Sequence, residues 1–160
     1  MKKAIYAGNF DPITNGHIDI IKRALVFFDE INIAVIQNIN KKAFFTIEER
    51  MGFIKKLFID RASVKVESFD GLLVNYAQEK KIYTLIRGLR AVSDFDYEFQ
   101  MALMNRKLNS KLDTIFLMTD EKYSYLSSSL VKELAQFKID LKKFVPEIIQ
   151  GALKEKFKNG

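Results

Sequence analysis

The chain contains a single histidine, His17, which follows Asn15-Gly16 in "YAGNFDPITNGHIDII". An apolar run that ends near Tyr6 predicts a strand, and the apolar spacing after the loop predicts a helix with His17 in its first turn. Unpaired backbone N–H groups and the positive end of the helix dipole favour an anion there. A histidine adds a directed N–H donor when neutral, or a charge when protonated. The pattern therefore indicates an anion site, although a surface histidine beside a capping asparagine remains an alternative.

Two arginines, Arg87 and Arg90, occur in "IRGLRAVSDF", just past the end of another apolar run. Planar guanidinium groups match phosphate oxygens in a bidentate way, so the pair indicates recognition of several phosphates. A solvated loop with surface ion pairs is the alternative that this segment leaves open.

Two further polar clusters also follow apolar runs. Ser127, Ser128 and Ser129 lead into a predicted helix, where three hydroxyls form a concentrated donor cluster at a positive helix end, or serve only as caps. Lys41 and Lys42 follow the second apolar run, and a lysine there is either a mobile positive charge for phosphate or an ordinary surface residue. Each cluster is a weak indication by itself.

The elements that must position these clusters alternate along the chain. Apolar runs predict five strands, at 3–7, 31–36, 63–69, 83–88 and 113–118. Helices are predicted along an apolar stripe at 18–28, after a Thr46–Glu49 capping box, at 72–81, at 93–108, from the serines at 127–129, and from Pro146. This alternation predicts one domain over 1–160, an α/β Rossmann-like fold with a doubly wound, parallel five-stranded sheet. Such sheets bind ligands at the carboxyl ends of their strands, where all four clusters would meet.

Composition excludes several classes of protein and site. The 160 residues include no cysteine, which excludes disulfides, thiolate metal sites and cysteine nucleophiles. A single histidine excludes a multi-histidine metal site. No apolar run has the length of a signal peptide core or of a membrane span, so we expect a cytoplasmic protein without membrane association. The net charge of +6 suits anionic partners.

The predicted helix at 93–108 is apolar on two faces. Phe95, Phe99 and Leu103 share one face, whereas Tyr97 and Met101 lie nearly opposite. Such a helix is usually buried on both sides. Burial within the chain and a subunit interface are both compatible with this pattern.

Three segments resemble motifs of the phosphopantetheine adenylyltransferase family, within the nucleotidylyltransferase superfamily. "GNFDPITNGHIDII" is similar to the opening signature, and its Thr14-Asn15-Gly16-His17 matches the superfamily's T/H-x-G-H motif. "LIRGLRAVSDFDYE" and "YLSSSLVKEL" are similar to later motifs, in the family's order. The resemblance extends from about Ala4 to Leu153.

The resemblance implies an enzyme that transfers an adenylyl group from ATP to 4'-phosphopantetheine, giving dephospho-coenzyme A and pyrophosphate. It implies Mg²⁺ as cofactor, direct in-line attack without a covalent intermediate, and a homohexamer. Coenzyme A is a candidate feedback ligand, whereas nucleic acid is not expected as a partner. The chain departs from the family at Asn9, where members usually have Thr or Ser.

The resemblance also implies site residues, although it implies no metal ligands. The catalytic residues would be His17 at the α-phosphate, Lys41 at the reacting phosphates and Arg90 at the outer phosphates. The acceptor site would contain Asn9, Lys41, Leu73, Asn75 and Arg87. The ATP site would contain Asn9, Phe10, His17, Gly88, Leu89, Arg90, Glu98, Tyr123, Ser124, Tyr125, Leu126, Ser127, Ser128 and Ser129.

Two other functions are compatible with parts of the sequence. One is a nucleotidylyltransferase that activates nicotinamide mononucleotide or a phosphorylated alcohol, against which "RGLR" stands in place of those families' second motifs. The other is a non-catalytic basic module for nucleic acid, which would need a stripe of Lys or Arg with interleaved aromatics. The lysines here are scattered, which disfavours it.

Overall fold

Five apolar runs form one parallel sheet in the computed structural model, which describes residues 1–37, 43–90 and 92–158. The strands are β1 (Lys3–Gly8), β2 (Glu30–Ile36), β3 (Val64–Phe69), β4 (Thr84–Leu89) and β5 (Asp113–Met118). Every pairing is parallel, in the order β3-β2-β1-β4-β5. The predicted α/β fold with a parallel five-stranded sheet is confirmed, and each strand begins and ends within one residue of its predicted position.

Helices connect the strands and follow β5. They are α1 (Asn15–Ala24), α2 (Ile47–Leu57), α3 (Leu73–Lys80), α4 (Val92–Leu108), α5 (Ser128–Gln136) and α6 (Glu147–Lys158), with a short 3₁₀ helix at Glu121–Tyr123. The predicted capping box opens α2: the Thr46 hydroxyl accepts from the Glu49 N–H, and the Glu49 carboxylate accepts from the Thr46 N–H. Pro146 immediately precedes α6 instead of being its first residue. The first helix ends at Ala24, short of the predicted stripe, because the chain turns towards β2.

Two apolar cores cover the two faces of the sheet. Alternate residues of β1 point to opposite sides, so Ala4 and Tyr6 join one core, and Ile5 and Ala7 join the other. The first core contains side chains of α1, α2, α5 and α6, and the second contains side chains of α3. Each strand of the interior is therefore buried on both faces, which explains its continuous apolar run.

The central strands β1 and β4 define the switch point of the sheet. From β1 the chain proceeds outward through β2 to β3, and then returns to β4 on the other side of β1. The connections after β1 and β4 therefore diverge and leave a crevice at the carboxyl ends of these strands. "NFDPITNGH" follows β1 and "RGLR" spans the end of β4, so the fold brings the first two motifs together.

Helix α4 and the edge strand β5 expose a large apolar surface, which we call the α4 face. The face contains Phe95, Tyr97, Phe99, Met101, Leu103, Met104, Leu108, Ile115 and Met118, each at least 39% exposed. Burial of α4 within the chain, one of the two interpretations of its pattern, is therefore wrong. No helix within the described ranges combines the length and apolarity that a membrane span requires.

Candidate active site

A cleft of about 340 Å³ opens at the carboxyl ends of β1 and β4. Its described wall comes from the loop after β1, the start of α1, the end of β4, one side of α4, and the residues that open α5. The predicted site residues that line it are Asn9, Phe10, His17, Arg87, Gly88, Arg90, Glu98, Leu126, Ser127, Ser128 and Ser129. Three of the four polar clusters thus meet in one cavity.

His17 is oriented by the cap of its own helix. Thr14 is the N-cap of α1, and its hydroxyl accepts from the His17 backbone N–H at 3.4 Å. In return, the His17 Nδ1 atom accepts from the Thr14 backbone N–H at 3.0 Å. His17 thus occupies the N3 position of a capping box, where Glu or Gln is usual. Because Nδ1 is an acceptor, the proton of the neutral ring is on Nε2.

The surroundings of His17 keep its ring neutral. Burial, followed by the positive charges of Arg90 and Arg87, lowers the pKa of His17 from its ordinary value of 6.5 to about 4. The Phe10 ring lies edge-on to the imidazole with a centroid separation of 5.1 Å, and Phe10 is itself only 2% exposed. His17 therefore offers the cleft an oriented neutral N–H donor at physiological pH, rather than a charge.

Arg87 is held between a helix and a strand. Its Nε and Nη2 atoms donate to the two carboxylate oxygens of Glu98 at 2.6 and 2.5 Å, and its Nη1 atom donates to the Ala7 carbonyl at 2.8 Å. Burial disfavours the charged guanidinium, but the Glu98 carboxylate outweighs this and raises the pKa of Arg87. The arginine is therefore charged and fixed at the end of β4.

Arg90, directly after β4, is held in a similar way. Its Nε and Nη2 atoms donate to the Asp94 carboxylate at 3.0 and 3.3 Å, and its Nη1 atom donates to the Leu126 carbonyl at 3.1 Å. The guanidinium thus connects α4 to the segment before α5. Asp94 is not distinguished by the sequence motifs, although its separation of four residues from Arg90 is typical of a helical ion pair.

The three serines 127–129 cap α5 and place its N-terminus at the cleft. Ser127 is the N-cap, and its hydroxyl accepts from the Leu130 N–H at 3.1 Å. The Ser128 hydroxyl donates to the Pro12 carbonyl at 2.8 Å, which fixes α5 to the loop after β1. Two of the three hydroxyls therefore have structural partners. The exposed Ser129 lines the cleft at the N-terminus of α5, which is a positive helix end.

Gly88 allows α1 to approach β4 closely. A Cβ atom at this position would lie 3.0 Å from Cγ1 of Ile20, which is inside ordinary contact distance. Ile20 is one turn beyond His17 on α1, and Arg87 and Arg90 flank the glycine. The lack of a side chain at Gly88 therefore brings the imidazole and both guanidinium groups to the same cavity.

Three charged residues that line the cleft, Asp11, Arg50 and Lys132, are not distinguished by the sequence pattern. The Asp11 carboxylate accepts from the backbone N–H groups of Phe44 and Phe45, both at 2.8 Å, and lies 3.5 Å from the Lys132 ammonium group. Arg50, only 5% exposed, donates to the Asn9 carbonyl at 2.8 Å and to the carbonyls at 36 and 46. Arg50 lies in the first turn of α2. An arginine in the charged segment "FTIEER" is typical of a solvated helix face.

The remaining predicted site residues lie outside this cleft or outside the described residues. Leu73 and Asn75 are in the first turn of α3, where Leu73 packs against the second core and Asn75 is exposed. Leu89, Tyr123, Ser124 and Tyr125 do not belong to the described wall, although Tyr123 and Leu126 pack beside Gly16. Lys41 lies outside the described residues.

The acidic side chains in the cleft and beside it, on α4, already have partners. Asp11 binds two N–H groups and faces Lys132, whereas Asp94 and Glu98 bind the two arginines. Within residues 1–37, 43–90 and 92–158, no group of three His, Asp or Glu residues could hold a metal.

Comparison with known proteins agrees with this geometry. The cytidylyltransferase-like family matches residues 5–134. The chain is 56% identical over 156 residues to phosphopantetheine adenylyltransferase of Alkaliphilus metalliredigens, covering 98% of this chain and 99% of the relative. It is 54% identical over 155 residues to that of Staphylococcus carnosus, with 97% and 96% coverage.

A solved structure extends the likeness to the fold. It is a Plasmodium falciparum nicotinic acid mononucleotide adenylyltransferase, 16% identical, with a TM-score of 0.67 and coverage of 97% and 96%. At that identity the likeness concerns the fold alone. The identity of more than half of all residues over nearly the full length shows that the chain belongs to the phosphopantetheine adenylyltransferase family, and is thus a nucleotidyltransferase.

Proposed function

We propose that the protein transfers the adenylyl group of ATP to 4'-phosphopantetheine, with release of pyrophosphate, in coenzyme A synthesis. The observation that carries the proposal is the convergence of His17, two fixed arginines and the start of α5 on one cleft. The cleft offers positive charge and N–H donors, which suits a triphosphate and a phosphorylated acceptor. The names of its relatives supply the acceptor.

The reaction needs no nucleophile from the protein. An oxygen of the acceptor phosphate attacks the α-phosphorus of ATP and forms a new P–O bond, while the bond from this phosphorus to the oxygen bridging the β-phosphate breaks. Pyrophosphate leaves with that electron pair. Catalysis then consists of positioning and of stabilising the charge that moves onto the phosphates.

The residues of the cleft would divide this work. The neutral His17 ring donates its Nε2–H to an oxygen of the α-phosphate, where a donor is most effective as charge develops. Arg90 contacts the outer phosphates that become pyrophosphate, and Arg87 holds the acceptor phosphate. Mg²⁺, carried by the triphosphate, would neutralise part of the phosphate charge when bound. Lys41, which the resemblance implies at the reacting phosphates, completes this assignment.

The test is a pyrophosphate-release assay with ATP and a panel of acceptors. We expect rapid release with 4'-phosphopantetheine, and a product with the mass of dephospho-coenzyme A. Nicotinamide mononucleotide and phosphorylated alcohols, the acceptors of the alternative nucleotidylyltransferases, serve as comparison substrates. Turnover with one of these in place of phosphopantetheine would refute the proposed acceptor. Coenzyme A, which we propose as feedback ligand, should inhibit in competition with a substrate.

We also propose that copies of the chain assemble through the α4 face, as in the homohexamer that the resemblance implies. The face exposes nine large apolar side chains, which a protein that remains monomeric rarely leaves uncovered. Another copy of the chain is the occupant that this proposal names.

A further inference from the structure

Both site arginines are bound by carboxylates of one helix. Glu98 binds Arg87 and Asp94 binds Arg90, and the two acidic residues are four positions apart, hence on the same side of α4. Each arginine has its third hydrogen bond to a backbone carbonyl of a different element, at Ala7 or before α5. The guanidinium planes are therefore fixed from two directions.

The arrangement leaves donors available to a ligand. A guanidinium has five N–H groups. Among the described residues, Arg87 and Arg90 each use three of them in these contacts, which leaves two on each for phosphate oxygens. The carboxylates thus orient the arginines without exhausting their donors.

We propose that Asp94 is a positioning residue for Arg90, as Glu98 is for Arg87, and that it acts on the reaction only through that arginine. The inference rests on the proposed function, since it concerns the same cleft. Asp94 lies on the side of α4 that faces Arg90. Asp96, on the same helix, is exposed and makes no ion pair with any described residue. The carboxylate acts by preventing Arg90 from turning into solvent.

The expected effect follows from where charge moves during the reaction. Negative charge develops on the leaving pyrophosphate, so a fixed Arg90 stabilises the transition state more than it stabilises bound ATP. In Asp94→Asn the arginine is released but keeps its charge. We expect kcat to fall about tenfold, with the KM for ATP unchanged or lower. Asp94→Glu, which restores the charge, should recover part of the loss.

Asp96→Asn is the matched control, because it removes the same charge from the same helix. Its kcat and KM should equal those of the parent protein. If Asp94→Asn behaves like Asp96→Asn, Asp94 does not position Arg90. If Asp94→Asn instead raises the KM for ATP with kcat unchanged, the residue contributes to binding alone, which also overturns the proposal.

A double-mutant cycle tests whether Asp94 acts through Arg90. In the Arg90→Ala background, Asp94→Asn should have no further effect on kcat. The same tenfold loss in both backgrounds would show that Asp94 acts by another route.

Crystal structures of Asp94→Asn and Asp96→Asn provide a readout that does not depend on the reaction. Arg90 should leave the Leu126 carbonyl only in Asp94→Asn, and an unmoved arginine would refute the inference. If the parent protein forms no dephospho-coenzyme A, the proposed function fails. These structures would still decide whether Asp94 holds the arginine.

Discussion

The imidazole Nδ1 atom of His17 accepts a hydrogen bond from the Thr14 backbone N–H at 3.0 Å, inside the first turn of α1. One bond thus completes a helix cap and selects the tautomer that carries its proton on Nε2. His17 therefore caps α1 and also provides the cleft with an N–H donor. Different substitutions of His17 can separate its structural role from its chemical role.

His17→Ala should lower kcat about 100-fold, with less than about a threefold effect on the dissociation constant of ATP. The reason is that the proposed contact strengthens as charge develops in the transition state. His17→Gln is the matched variant, because glutamine keeps the capping box but cannot place a donor at the Nε2 position. Steady-state kinetics and calorimetric ATP titration measure both quantities. Equal losses in turnover and in binding would contradict the role of His17.

The titration of His17 should have its midpoint near pH 4, well below 6.5, because burial and two arginines disfavour the charged ring. Since the chain has one histidine, its NMR resonances report this group without overlap. The nitrogen shifts should show the proton of the neutral ring on Nε2. A midpoint near 6.5 would mean that the ring is solvated and free of the arginines.

The same shift predicts a pH dependence of stability. Between pH 6.5 and about 4 the unfolded chain protonates His17 but the native protein does not, so acidification favours unfolding. The contribution is complete above pH 6.5 and lost as the pH falls through this window. Unfolding of His17→Gln, followed by denaturant titration, should therefore depend less steeply on pH there. Identical slopes for the two proteins would be incompatible with the lowered pKa.

Arg87→Ala should raise the KM for the phosphorylated acceptor about tenfold, and change the KM for ATP much less. Arg106→Ala is the control, since Arg106 pairs with Asp113 on the exposed surface, away from the cleft. Varying each substrate in turn measures the two constants. An effect confined to ATP would reverse the assignment of the two arginines.

Tyr97→Glu or Met101→Glu should reduce the mass measured by light scattering, because a carboxylate on the α4 face cannot be buried against another copy without a large cost. Ile59→Glu is the control. Ile59 is 79% exposed and lies just after α2, outside the α4 face. If substitutions in α4 leave the mass unchanged, this helix does not form the interface between copies of the chain.

Much of the fold follows from the sequence, because each interior strand is an apolar run and several helices have a start signal, such as the capping residues that open α2 and α5. The capping box at Thr46 is an example, since its donors and acceptors are three residues apart. The rule that ligands bind at strand ends also predicted that four polar clusters would meet. Three of them line the cleft, and the fourth, Lys41 with Lys42, lies outside the described residues. The α4 pattern left burial and an interface open, and the structure decides against burial within the chain.

The contacts that organise the cleft could not be predicted in this way. Arg50 reaches the Asn9 carbonyl, 41 residues away, and Arg87 reaches Ala7 across 80 residues. Such contacts depend on strand order and on helix packing, which local periodicity does not contain. For the same reason the sequence did not distinguish Arg50 from a surface arginine.

The close packing of Ile20 on Gly88 makes the width of the cleft depend on how closely α1 approaches β4. A methyl group at 88 would wedge α1 away from the sheet and carry the imidazole outward with it. The distance between the imidazole ring and the guanidinium groups therefore depends on the absence of a side chain at Gly88. Redesign of this pocket for a bulkier acceptor would have its natural starting point there.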